Sequence, residues 1–185
     1  MSQPSKSPVV NIADVEADPA LTDSNPERGR FQAEFAFVGR ALATKNIGIN
    51  LTKVPAGKTA WPRHYHYIND EMFIVIEGTG TLHYGDQEYP VRPWDVINIE
   101  AGTGIPFQIE NTGTETLRYL ALSTLDKADV FHYVDSDKIG IMALAAPFRQ
   151  LDATAALEPF RKWVMAETDV PYWRGEPEAG DAAND

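Results

Sequence analysis

From Phe31 to about residue 145 the chain is a succession of short runs rich in β-branched and aromatic residues. The runs are FQAEFAFVG, NIGINLTKV, EMFIVIEG, TGTLHYG, QEYPV, DVINIE, FQIEN, LRYLALST and DVFHYV, and PAG, GTG, YGD, RPWD, AGTG and NTGTE punctuate them. Strand-length runs separated by Gly, Pro, Asn and Asp predict an all-β sandwich or barrel. No pattern of helical length interrupts them. Within 71–77, alternation puts Glu71, Phe73 and Val75 on one side and Met72, Ile74 and Ile76 on the other. Apart from its terminal glutamates this strand is apolar on both faces, so it belongs inside a barrel or beneath a partner subunit.

The flanks read differently. Residues 1–30 are rich in Pro, Asp, Asn and Ser and form an irregular N-terminal arm with one short strand at VVNI. The spacing of DATAALEPFRKWV, residues 152–164, predicts a short C-terminal helix capped by Asp152 within a packing segment spanning 146–175, with Pro159 marking a break or a late start. Residues 176–185, EPEAGDAAND, carry no large apolar residue, cannot offset their ordering entropy and are expected to be a disordered acidic tail. The cupful of apolar anchoring before it comes from Tyr172 and Trp173.

Composition narrows the chemistry. A chain of 185 residues with 43% apolar and 23% charged residues is an ordinary globular composition, sized for one domain plus extensions. A net charge of −11 argues against sequence-independent nucleic-acid binding, which depends on cationic side chains. No stretch approaches a membrane span, and MSQPSKSPVV lacks a signal-peptide core, so the expectation is a cytoplasmic protein with no membrane partner. With no cysteine, chemistry falls to histidine, carboxylate, tyrosine and lysine.

One stretch gathers them: PRHYHYINDEMFIVIEGTG, residues 62–80. On a strand His64 and His66 project from one face, close enough to share a cation. Glu71 has the wrong parity for an uninterrupted strand, but YIND between them is turn-like and resets the phase. Two imidazoles and a carboxylate on one side of a metal leave positions open for substrate, water or dioxygen. An isolated His-x-His in a β protein is more often a surface or packed pair, so the glutamate and the glycine that follow carry weight.

Gly57, six residues, His64-Tyr65-His66, four residues, Glu71, six residues and Gly78 together resemble the first motif of the cupin superfamily, with only the first spacing longer by one. GDQEYPVRPWDVINIEAGTGIPFQIENTG is similar to the second, with Gly85 opening it, Asp95 in the place of the Asp of a Gly-Asp pair and Asn111 closing it. The resemblance covers roughly residues 31–145 and implies a double-stranded β-helix, a jelly-roll barrel, with its site in the mouth. NIGINLTKVPAG, YPVRPWDV, ETLRYLALST, YVDSDKIGI and VPYWRGE resemble a branch of single-domain bacterial cupins that carry labels such as sugar-phosphate-isomerase-like.

The resemblance implies a small-molecule metalloenzyme with one divalent metal on His64, His66 and Glu71, no organic cofactor, and a homodimer. By softness Fe, Mn, Ni, Zn and Cu suit this donor set about equally. The fourth cupin ligand, a histidine, falls at Phe107 here. Either Phe107 is an aromatic wall beside a more open metal, or it marks a cupin that has lost its metal; the presence of both histidines and Glu71 favours the wall. Isomerase or lyase chemistry comes first and dioxygenase chemistry second. The alternatives are a non-catalytic cupin that binds a small ligand as a sensor, and a metal-free, epimerase-like cupin in which His64 or His66 is a base. Trp94 and Glu100 replace a turn glycine and a proline and alter loops rather than chemistry. Phe73, which shares the face of Glu71, His83 and Phe107 are the pocket-lining candidates. His83 sits near a turn and is chiefly solvated, or else aims inward as a substitute ligand or base. His132 is structural or at an interface, Tyr65 and Tyr67 pack on the opposite face, and Trp61, Trp94 and Tyr119 belong to the core.

Overall fold

The structure, a computed structural model, describes residues 7–19, 29–126, 128–143, 160–171 and 174. In chain order its elements are β1 (Glu34–Ala36), α1 (Val38–Leu42), β2 (Ile47–Val54), β3 (His64–His66), β4 (Glu71–Glu77), β5 (Gly80–Tyr84), β6 (Gln87–Val91), β7 (Val96–Ile99), β8 (Phe107–Glu110), β9 (Leu117–Thr124), β10 (Ala128–Tyr133), β11 (Lys138–Ala143) and β12 (Phe160–Met165). They form two antiparallel sheets, β1-β2-β9-β4-β7 and β12-β11-β10-β3-β8-β5-β6. The inward residues of both sheets make one core, with Val54, Val75 and Leu117 fully buried and Phe73, Phe107 and Tyr119 nearly so. Each such side chain is worth about 1.5–3 kcal/mol for leaving water. The all-β barrel expected from the runs is the architecture found. Among the described residues no helix is long and apolar enough to cross a membrane.

The two motifs meet at Asn111, which is fully buried. Its Nδ2 donates to the carbonyls of Val54 and Glu115 at 2.7 and 2.8 Å, and its Oδ1 accepts from Gly113 N–H at 3.0 Å. Its backbone bonds Gly57 and Lys58, so the end of the second motif is tied to the start of the first. A buried amide with its capacity filled in this way fixes the loops relative to one another. At the Gly78 turn, φ is +77° and a Cβ would lie 2.6 Å from the Thr116 carbonyl oxygen, so both conformation and space require glycine.

Three local expectations are corrected. VVNI is not a strand: Asn11 keeps extended geometry but joins no sheet ladder among the described residues, and its side chain accepts from Ala13 N–H at 3.0 Å to cap the 3₁₀ turn Ile12–Asp14. Phe160–Met165, expected to be helical, is strand β12, paired residue for residue with the outer edge of β11 from Lys138↔Met165 to Ala143↔Phe160. An open sheet edge offers six residues a ladder, and that overrides local helical spacing. Trp94, assigned to the core, is 78% exposed in the turn before β7 with φ +77°. That conformation is uncommon for a bulky residue and is held by Trp94 N–H to Val75 O and Val75 N–H to Asp95 O, at 2.9 and 3.0 Å. The Asp152 cap and Pro159 at 144–159, the anchors Tyr172 and Trp173, and the tail at 176–185 lie outside the described residues.

Gly140 faces Phe131 across the β10–β11 ladder, and the Phe131 ring occupies the space a Cβ would need. Gly140→Ala should therefore lower stability by about 1–3 kcal/mol through overpacking, read as a fall in urea midpoint at constant m-value. An unchanged midpoint would show that the ring yields without cost.

Candidate metal centre

β3 is three residues long and is gripped on both sides. It pairs with β10 through His64↔Tyr133, Tyr65↔His132 and His66↔Phe131, and with β8 through His64↔Phe107. Alternation sends His64 and His66 inward together, with ring centroids 5.1 Å apart. The chain then crosses from one sheet to the other, since β3 belongs to the seven-stranded sheet and β4 to the five-stranded one. This crossing is why the spacing of five between His66 and Glu71 brings the carboxylate back. The turn is fixed by Asn69 Oδ1, which accepts from Thr124 Oγ1 and Asp126 N–H, each at 3.1 Å, and by Asp70 Oδ1, which accepts from Ala101 N–H at 2.9 Å. One ligand atom from each of His64, His66 and Glu71 lies within 4.8 Å of the others.

Both imidazoles are oriented from behind. His64 Nδ1–H donates to the Pro62 carbonyl at 2.8 Å, and His66 Nδ1 is 2.6 Å from Asp129 Oδ2. Each ring therefore turns Nε2 toward the centre, and His66 Nε2 sits 3.6 Å from Glu71 Oε2. Burial pushes His64 down to about 4, helped by the neighbouring His66, against the opposing pull of the Pro62 carbonyl and Asp129. It is a neutral donor at neutral pH. Burial also disfavours charge on His66, but the Asp129 hydrogen bond and the Glu71 charge outweigh it and leave its pKa above the ordinary histidine value. Burial raises the Glu71 carboxyl, with Asp129 adding to the rise and His66 opposing it. Two nitrogens with free lone pairs and a carboxylate whose charge is costly to bury form a donor set that fits a divalent cation.

Phe107 stands where the fourth ligand was expected, its ring 4.7 Å from that of His64 and 5.7 Å from that of Phe73. Phe73, Phe107 and Tyr119 wall a cavity of about 70 Å³ that also opens onto His64 and Glu71. Tyr119, expected as core, is thus core and cavity wall together; burial, then the Glu71 charge, holds its phenol well above the usual range. Trp61 is 46% exposed, stacked on Phe35 at 4.7 Å, and lines the same cavity, which corrects its assignment to the core. His83, read as chiefly solvated or else aimed inward, is half-buried near the β5–β6 turn. It alternates with buried Leu82 on β5, and its ring is held between Glu88 and Glu110 at 3.3 and 3.0 Å. His132 joins Tyr65 Oη and Asp137 in a surface network.

Two residues were missed by reading the motifs. Asp129 lies far from them in sequence, and its signal was a charged residue at an inward position of an apolar strand, on the face of Phe131. Gln108 is buried within β8 and donates to the Trp61 carbonyl at 2.7 Å, holding the cavity rim.

Residues 50–123 match the family model described as a cupin domain. An uncharacterised protein of Methanocaldococcus jannaschii is 33% identical over 60 residues, covering 32% of this chain but only 46% of that protein. An oxalate-binding protein of Thermotoga maritima is 28% identical over 104 residues, covering 55% of this chain and 84% of that protein. In three dimensions the chain is similar to a sugar phosphate isomerase of the cupin superfamily from Silicibacter pomeroyi, with a TM-score of 0.69 at 20% identity over 87% of this chain and 94% of that one, a likeness of fold. The barrel, the two motifs and the cupin domain matched at residues 50–123 together support a place for this chain in the cupin superfamily.

The sign of the pH dependence follows from the two histidines. Between 6.5 and about 4 the unfolded chain holds a proton that folded His64 refuses, so this contribution is complete above pH 6.5 and is lost as pH falls toward 4. At 1.36 kcal/mol per pH unit the interval is worth at most roughly 3 kcal/mol. His66 acts oppositely, stabilising below 6.5 and losing that contribution as pH rises through its elevated folded pKa. In chelator, His64→Phe should therefore lose less stability than wild type between pH 7 and pH 4, measured by urea unfolding. Parallel losses would show that His64 is not buried as a neutral group.

Proposed function

We propose that this cupin is a small-molecule metalloenzyme in which His64, His66 and Glu71 hold one divalent metal. The observation that carries the reading is the convergence of the three donors, with both Nδ1 atoms already engaged. A divalent cation bound there supplies Lewis acidity toward a carbonyl or hydroxyl oxygen, or a place for dioxygen if it is iron. The chain's own residues shape the rest: Phe73, Phe107 and Tyr119 form the aromatic part of a cavity wall shared with Asn50, Thr52 and Gln108, and Phe107 leaves the fourth position without a protein donor. Isomerase or lyase chemistry is the first reading and dioxygenase chemistry the second. Similarity to proteins described as an oxalate-binding protein and a sugar phosphate isomerase supports a small polar substrate. Iron, manganese, nickel, zinc and copper all suit the donors.

The metal-free binding reading has one observation in its favour. His66 Nε2 lies 3.6 Å from Glu71 Oε2, so that without a metal a protonated His66 would compensate the buried carboxylate.

Elemental analysis separates the two. After reconstitution with each of the five metals and desalting, wild type should retain about one equivalent of at least one metal, and His66→Ala and Glu71→Ala should lose it. Phe107→His should tighten retention at least tenfold by restoring an imidazole donor. If wild type holds none, or the alanine variants hold as much, the metal-free reading replaces this one.

We also propose a homodimer, supported by Met72 on β4 and by Phe160, Trp163 and Met165 on β12, all exposed. Obligate dimer interfaces are apolar in this manner. Light scattering at micromolar concentration should give twice the 20.5 kDa of one chain; a monomer would remove this reading.

A further inference from the structure

Asp129 is 6% exposed and lies 2.6 Å from His66 Nδ1 through Oδ2. The same oxygen accepts from Asn69 Nδ2 at 3.0 Å, while Oδ1 is buried with no hydrogen-bond partner. Leaving a carboxylate oxygen buried and unpartnered costs about 1–3 kcal/mol or more, so this side chain is kept by what its other oxygen does. A neutral imidazole carries its proton on either nitrogen, and the partner of one nitrogen decides which. With an acceptor at Nδ1, the proton stays there and the Nε2 lone pair faces Glu71. Asn69 ties this choice to the turn that delivers Glu71, because its Oδ1 accepts from Thr124 and Asp126 while its Nδ2 reaches Asp129. One network thus orients a ring on β3 and the carboxylate at the start of β4.

We infer that Asp129 is the positioning residue of the centre: it selects Nε2 of His66 as the donor atom and, through Asn69, holds that atom in register with Glu71. This rests on the reading that His64, His66 and Glu71 form a metal site. His64 reaches the same tautomer by a separate route, through the Pro62 carbonyl. Loss of Asp129 should therefore disturb one ring and spare the other, a pattern that general loosening of the barrel would not produce.

The test reads the imidazole nitrogens of the metal-free protein by ¹⁵N NMR, at a pH where both rings are neutral. In wild type both rings should show the Nδ1–H form. In Asp129→Ala, His66 should shift to a mixture of tautomers while His64 keeps its wild-type signals. Asp129→Asn, which keeps an acceptor oxygen without the charge, should restore the Nδ1–H form at His66. Zinc titrated into each protein should bind about 10–100-fold more weakly to Asp129→Ala than to wild type, the usual cost of losing an acceptor behind a ligating histidine, and within a few-fold of wild type to Asp129→Asn. A wild-type His66 in the Nε2–H form, an unchanged His66 in Asp129→Ala, or equal shifts in both rings would each overturn the proposal. Because the tautomer is read without metal, a wild type that retains none of the five metals would overturn the metal reading while leaving the orientation of His66 decided by the spectra.

Discussion

Two imidazoles and a carboxylate have been drawn largely out of water inside a barrel whose core is mainly aromatic and aliphatic, and much of the local polar structure answers that cost. Isolated buried charge is expensive, so each group has a partner placed behind or beside it. His64 stays neutral against the Pro62 carbonyl, His66 leans on Asp129, and Glu71 faces His66 across 3.6 Å. The balance is incomplete, since Glu71 and Asp129 face one readily charged imidazole between them. A divalent cation would complete it from the open side.

That arrangement needs a rigid frame, and the frame comes from the joining of the two motifs. Asn111 fastens the end of β8 to the loop after β2, and β8 in turn lays Phe107 against His64. Phe107 is therefore firmly placed, its ring 4.7 Å from that of His64, and it contributes apolar area rather than a donor at that point of the cavity wall.

The sequence made the fold readable because strand runs and turn residues agree with each other over more than a hundred residues, and local agreement of that kind is what a funnelled sequence shows. His64, His66 and Glu71 were legible because they lie within eight residues of one another. Asp129 was not, because hydrogen bonding across β3 and β10 is a property of register rather than of spacing. Of the two readings of His83 the structure keeps the solvated one by parity: one position along β5 separates it from the interior, at Leu82. Phe160–Met165 went wrong because an unpaired edge of β11 was invisible before the sheet existed, and Trp94 because hydrophobicity was allowed to outweigh the backbone demands of a turn.

The brevity of β3 has a consequence for how the protein comes to be. Three residues cannot persist as a strand alone; its ladder partners Phe107 and Phe131–Tyr133 come roughly 40 to 70 residues later in the chain. A chain growing at the ribosome has both histidines and Glu71 long before it has β8 or β10 to hold them. Closure of such distant pairings dominates the folding time of β barrels, in the millisecond-to-second range. The three donors therefore come together only once those distant pairings have closed, and any metal they take up would be acquired after synthesis rather than during it.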